Sequence, residues 1–492
     1  MNILVVTGRL AEKTVGKSVR NEAEILVLDI EVAAFTTPGL LRRSLPHKKY
    51  DLILIPGLAS GDFSGLEKEI NTPIRLGPKH AVDLGFVLSF AENTPFSTQV
   101  PACELLTEKK RSDAIGKINK LEMEAAASLF IKGVKIGGNS RMKVMAEVVD
   151  AGNLEQQKLI DRILYFKEQG ADIIDLGISL ETTREQVRTA VLTAKSITSL
   201  PLSIDTLEPG LINEGLDAGA DIVLSLNSEN INEVRDNIIR SSAAAVIIPD
   251  CSCELESLFN TIVSARDSGI NNIIADPVLE PLGHGFVESI DRYYEFRKRD
   301  GSTPLFFGAG NVSELMDADS AGINALLSGI SMELDASILF TPEYSDKARG
   351  SVHELKTASM MMILARERGS APKDLGIDLL EIKEKRRREF GKLPVSSIKA
   401  EGSRQWHLDP AGCFKIEITE DEIRDGKPKS GKIVAKHKNK SIEGETAKEV
   451  LDTILRFGLV SNPDHAGYLG RELMKAEIAL KFRRSYSQDD KF

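Results

Sequence analysis

Three short segments of this chain end in side chains that could do chemistry. They are Leu202-Ser203-Ile204-Asp205-Thr206, Leu224-Ser225-Leu226-Asn227 and Ile273-Ile274-Ala275-Asp276-Pro277. Each reads as a buried strand that delivers a polar group at its carboxyl end. A carboxylate accepts two parallel N–H bonds, and an amide both donates and accepts. Asp205, Asn227 and Asp276 together therefore suit a flat heterocycle rich in N–H donors. Charged groups are rarely buried without a partner, so strand ends are poor places for idle aspartates. The competing expectation is that Asp205 or Asp276 caps the next helix, and Asp276-Pro277 suits such a cap. Side-chain alternation puts Ser225 and Asn227 on one side of their strand, with Asn227 the better-placed ligand. Asp175, closing Gly170–Gly177, is expected to brace its loop rather than touch substrate.

The elements that must hold these groups recur at regular intervals. Apolar β-type runs lie at 144–149, 173–176, 202–204, 222–226, 245–248, 273–275, 305–307 and 325–327, with helical stretches such as 154–169 and 183–198 between them. Gly170, Gly219 and Gly269 each precede a strand, where a helix ending in a left-handed residue is expected. Eight βα units between residues 140 and 368 predict a TIM barrel, whose ligands sit at the carboxyl ends of the strands.

The barrel is expected to be flanked on both sides. Residues 1–125 read as an open α/β domain with strands at 3–6, 25–28 and 52–55; its glycines match no phosphate-binding pattern and are read as turns. Residues 383–389, with Arg386-Arg387-Arg388, read as a solvated charged helix, and residues 391–404 as a linker. Residues 405–485 read as a small α+β domain. It opens on the Asp409-Pro410-Ala411-Gly412 turn, continues through alternating Phe414, Ile416 and Ile418 and a strand at 433–435, and ends in helices at 446–456 and 465–481. There, His465 is expected to pair with Asp464 at a helix start or to bind a ligand.

Bulk properties narrow the field. The 492 residues are too many for one ordinary domain. The net charge of −10 argues against nucleic acid as the main partner, since phosphate binding needs a basic face. Four cysteines cannot form a disulfide framework, and the Cys251/Cys253 pair lacks a second pair to make a zinc site. No apolar run is long enough to span a membrane. The first residues enter a strand directly, leaving no room for a signal peptide, so a cytoplasmic protein is expected.

The order and spacing of Gly170–Gly177, Asp205-Thr206 and Asp276-Pro277 on successive strands resemble the pterin-binding family. Its main members are dihydropteroate synthase and the corrinoid-dependent pterin methyltransferases. The resemblance implies that Asp205, Asn227 and Asp276 hold the pterin. Three departures from the synthases stand out. A Gly308-Ala309-Gly310-Asn311-Val312-Ser313 segment replaces their basic motif after strand seven and resembles the methyltransferases' Asn-Val-Ser, which makes Asn311 a pterin contact. Ser351-Val352-His353 lacks their arginine. The loop Glu181-Thr182-Thr183-Arg184 is two residues longer, leaving Arg184 as the candidate catalytic cation. Glu147 stands where the synthases carry an asparagine.

The whole chain, with its run from His465 to Leu473, resembles the synthase-related proteins of archaea and some methylotrophs. Those organisms make methanopterin-type carriers, whose aryl unit bears a ribitol or ribosyl phosphate. The resemblance implies condensation of a hydroxymethyl-dihydropterin diphosphate with an arylamine, Mg²⁺ accompanying the diphosphate. It allows a homodimer. The alternatives are a methyl-pterin-dependent methyltransferase and a non-catalytic pterin-binding protein.

Overall fold

The computed structural model describes residues 1–250, 254–383, 398–401, 407–419 and 431–490, with the backbone of two short strands at 422–424 and 427–429. Cys251 and Cys253, the Arg386–Arg388 run and most of the expected linker lie outside the described residues. The chain divides into two compact units, one of residues 1–123 with 364–392 and one of residues 124–363 with 393–492.

The first unit carries a four-stranded parallel sheet in the order Glu24–Leu28, Ile3–Gly8, Leu52–Ile55, Ile74–Leu76. The last strand escapes sequence reading because Arg75 interrupts its apolar run and Pro73 precedes it.

The second unit is built on eight parallel strands: Lys143–Val148, Ile173–Gly177, Leu202–Asp205, Ile222–Leu226, Ala244–Ile247, Ile273–Ala275, Phe306–Phe307 and Ile338–Thr341. Each pairs with the next, the eighth pairs with the first, and a bridge from Ala275 to Leu305 joins the sixth to the seventh. The sheet is thus a closed (β/α)8 barrel, as expected. The eighth strand is not at 325–327, however. Those residues lie within the helix Ser320–Glu333, and the strand follows it at Ile338–Thr341. The reason is periodicity: Ile323, Leu327 and Ile330 recur at helical spacing against the core while Leu326 is left exposed.

Glycine ends helices where expected. Gly170 and Gly219 hold φ of 96° and 102° as C-caps of Gln156–Gln169 and Pro209–Ala218, a conformation costly for other residues. At the amino end, Asp172 pairs with Arg141 at 2.7 Å and Lys356 at 2.8 Å. Burial opposes its charge, but the two cations prevail and hold its carboxyl well below the usual range.

Near the carboxyl terminus, strands Lys415–Ile418, Ile433–His437 and Lys440–Gly444 form an antiparallel sheet packed on helices Ala447–Arg456 and Pro463–Lys481. The Asp409 turn forms as expected, with Gly412 N–H donating to Asp409 O. His465 pairs with Asp409 through Nδ1 at 3.0 Å, not with Asp464. Asp409 also accepts from the backbone N–H groups of Ala411, Ser461 and Asn462, which makes this pair a brace between the turn and the last helix.

Candidate functional site

Side chains alternate along each strand, so every second residue enters the barrel. Toward the amino end these are apolar: Met145, Ile173, Ile222, Ala244, Ile274 and Ile338 pack together. A hairpin, Leu129–Ile131 with Val134–Ile136, packs into the same cluster through Ile131 and Ile136. One alternation further along, the interior turns polar. Glu147 stands beside Asp175, Asp175 beside Ser203, and Gly177 beside Asp205 in strand register.

This register creates the main feature of the mouth. One carboxylate oxygen each from Glu147, Asp175 and Asp205 lie within 4.8 Å of one another. Gly177 makes the approach possible: a Cβ there would fall 2.3 Å from Glu147 Oε1, so only glycine lets the glutamate lean toward Asp205. Burial, the nearby Asp205 and Glu314 push the Glu147 carboxyl up to about 7. Burial pushes Asp205 up to about 6. Asp175 is fully buried, and burial with the like charges of Asp205 and Glu147 nearby raises it well above the usual range, only moderated by the Ser203 hydroxyl and the Leu176 N–H. The expectation that Asp175 braces its loop is therefore corrected. Its place on the inward phase of the strand, two residues from Gly177, aims it into the barrel.

The expected ligand residues sit as follows. Asp205 does not cap the next helix; Glu208 does, accepting from Leu211 N–H at 2.6 Å. Asp276 also caps no helix. Its Oδ1 lies 2.8 Å from Val278 N and 2.7 Å from the Tyr293 hydroxyl, which leaves Oδ2 for a ligand. Burial pushes its carboxyl up to about 6. Arg292 donates to the carbonyls of Pro277 and Val278 and fixes this loop.

Asn227 is buried, and its Oδ1 accepts from Glu229 N–H at 3.0 Å and Asn230 N–H at 3.3 Å. The carbonyl end is spent on the turn, and the amide end is left to donate. The alternation expected to align Ser225 with Asn227 is interrupted by a register shift between Val223 and Leu226. The Ser225 hydroxyl instead bonds to Asp205 and moderates its raised pKa.

Asn311 and Arg184 are both exposed. Asn311 is exposed on the short helix Gly310–Ser313, and its Nδ2 donates to Leu279 O at 2.8 Å, tying the seventh loop to the sixth. Arg184 is the exposed first residue of the helix Arg184–Ile197, which Thr183 and Gln186 close with a capping box. Its Nη2 lies beside Gly210, 2.6 Å from where a Cβ would stand, near the Glu208 carboxylate. That places it over the start of the neighbouring helix, at the rim. Sequence reasoning also missed Tyr293, whose spacing along Phe286–Arg299 carries no sign of its reach to Asp276.

A closed parallel barrel with carboxylates and an amide at its carboxyl mouth defines the class of protein to which the comparisons also lead. Residues 147–281 match the family of pterin binding enzymes. Residues 408–489 match a family described as PterinBD-DUF4346, and residues 1–79 a family of unknown function, DUF6513. An uncharacterised protein of Methanocaldococcus jannaschii is 38% identical over 99% of this chain and 98% of its own. The chain belongs to the dihydropteroate-synthase-related pterin-binding family that includes this archaeal protein.

Solved dihydropteroate synthases are similar over about half of this chain. The Yersinia pestis enzyme, in complex with a sulfonamide drug, is 17% identical with a TM-score of 0.40, over 49% of this chain and 99% of that one. The Thermus thermophilus enzyme in complex with 4-aminobenzoate is 17% identical with a TM-score of 0.38, over 48% and 98%.

Proposed function

We propose that this protein condenses a hydroxymethyl-dihydropterin diphosphate with an arylamine, in the cytoplasm, during the making of a tetrahydromethanopterin-type carrier. The observation that carries the reading is Asp276. It is buried at the carboxyl end of a barrel strand, braced through one oxygen by Tyr293 and Val278, with the other left over. A pterin's exocyclic amine and ring N–H match such a carboxylate. Asp205 and the Asn227 amide supply the remaining polar contacts, and Asn311 is a pterin contact through Oδ1 or its second N–H, one N–H being given to Leu279 O. In the reaction the amine nitrogen bonds to the pterin methylene carbon as the carbon–oxygen bond to the diphosphate breaks. The diphosphate leaves with the electron pair and the amine gives up a proton. Arg184 is the side chain we assign to the departing charge, with Mg²⁺ accompanying it.

Methyl transfer from a methyl-pterin draws support from one observation. Carboxyls that hold protons near neutrality, such as Glu147, can supply one to a ring nitrogen and make the methyl group easier to lose. Incubation of the purified protein with dihydropterin diphosphate and arylamines, with and without a sugar-phosphate substituent, separates the readings. Condensed product and released pyrophosphate support the first. Loss of the methyl group from a methyl-pterin, with no condensation, supports the second, and tight pterin binding with neither product leaves a binding protein.

A further inference from the structure

We infer that the second unit carries a binding site for a phosphate monoester, in a cleft between the barrel's eighth loop and the end of the last helix. The cleft holds about 610 Å³, within the range of small-molecule sites. Lys347 and Arg349 enter it from the loop after the strand Ile338–Thr341. Arg483 and Arg484 enter it from the residues after the helix Pro463–Lys481. Asp346 is the one carboxylate among the described residues that line it. Four cations thus face one acid, in a chain whose net charge is −10. Like charges gathered in one cleft repel, and an anion among them relieves that repulsion.

The cations are not spent elsewhere. Lys347 pairs with Asp317 at 2.6 Å, but that aspartate is 98% exposed, which makes the pair a weak one. Arg349 and Arg483 form no ion pair among the described residues. Burial and the nearby Arg349 lower the Arg162 guanidinium from its ordinary value, opposed by Glu343 and Tyr165, so Arg349 stands near a second cation. Arg483 holds φ of 53° just past the helix end, where glycine is favoured. A Cβ at Gly350 would collide with its guanidinium, which donates to Gln169 Oε1 at 3.3 Å. These neighbours fix the fork without neutralising it, and a planar fork of N–H donors suits phosphate oxygens. The start of the helix Ser351–Arg368 is not what would hold the anion, since the buried Glu343 carboxylate already accepts from Val352 N–H at 2.9 Å. Ile418 and Leu480 line the cleft beside Thr419 and Ser485, a mixed surface fit for a sugar-sized body behind the phosphate. A bare phosphate would leave most of the volume empty.

The test is calorimetric titration of the full-length protein with ribose 5-phosphate as the probe and ribose as its control. One ribose 5-phosphate bound per chain, and no ribose, is the expected result. Arg483→Gly should weaken binding by at least about tenfold, the scale of a lost charged hydrogen bond. It should keep the unfolding temperature, because glycine suits that φ. Arg349→Gln, at an exposed position without an ion pair, should weaken binding to the same extent, while Arg188→Gln, an exposed arginine outside the cleft, should not. No binding at millimolar ribose 5-phosphate, equal binding of ribose, or unchanged affinity in the folded Arg483→Gly and Arg349→Gln variants overturns the site. Two molecules could carry the phosphate, a free metabolite or the amine of the proposed condensation. A preference for a phosphorylated arylamine that Arg483→Gly abolishes assigns it to the amine; ribose 5-phosphate binding without that preference assigns it to a separate ligand. The titration needs no turnover, so a protein that binds the probe but condenses nothing keeps the site and loses the reaction, and condensation without probe binding does the reverse.

Discussion

Asp276 illustrates how one buried carboxyl pulls stability and binding in opposite directions with pH. Its pKa is raised to about 6 by burial, from 3.8. The folded state therefore holds this proton more tightly than the unfolded chain. The stabilisation is complete below the unfolded pKa and is lost as pH rises through about 6. Binding runs the other way, because the carboxylate accepts N–H bonds from a pterin far better than the protonated acid does. Affinity should fall as pH drops through about 6 in the wild type, and this dependence should flatten in Asp276→Asn. The variant should also weaken pterin binding by about 1.5–3 kcal/mol at pH 7.5, the scale of a charge-assisted bond. Calorimetric titration from pH 5 to pH 8 checks both, and an unchanged pH profile in the folded variant would remove Asp276 from the pterin contact. For Arg184→Ala we expect pterin binding intact and condensation slowed by about 10²-fold, the scale of losing one transition-state donor. Its exposure and its place beside Gly210 make full retained activity the outcome that would dismiss it.

At the scale of elements, most of the barrel was legible because buried parallel strands are short apolar runs separated by amphipathic helices. The eighth strand was misplaced because Ala325-Leu326-Leu327 is apolar enough for either state, and only the packing of Ile323 and Ile330 on the same face decides for helix. The places of the candidate residues were legible where a polar residue ends a strand, as at Asp205, Asn227 and Asp276. It was not where function depends on neighbours far apart in sequence. Nothing local shows that Glu147 leans over Gly177, or that Tyr293 reaches Asp276. Gly177→Ala follows from this. An added methyl would meet only the end of the flexible Glu147 side chain, so we expect the fold to survive with about 1 kcal/mol or less lost. Thermal unfolding of the variant beside the wild type tests this. At the opposite end of the strands, Asp172 is paired with Arg141 and Lys356. Asp172→Ala should cost about 3–5 kcal/mol in urea unfolding, because it leaves two cations without their shared partner.

At the scale of the whole molecule, each unit has its own core, and the apolar clusters of the parallel sheet and of the terminal antiparallel domain draw on separate residues. Among the described residues no helix is long and apolar enough to cross a membrane. The second unit's barrel is filled toward its amino end by its own strand side chains, and Ile131 and Ile136 of the hairpin join that cluster. A vessel sealed at the base has one doorway. Whatever enters first lies deepest and cannot leave until whatever follows has gone, so two-substrate turnover there is a queue. If the pterin takes the floor, the amine must arrive second, and the joined product must back out through the path by which both came. Steady-state kinetics should then show a compulsory order, with a dead-end amine analogue uncompetitive toward the pterin. Random order would mean a second way in.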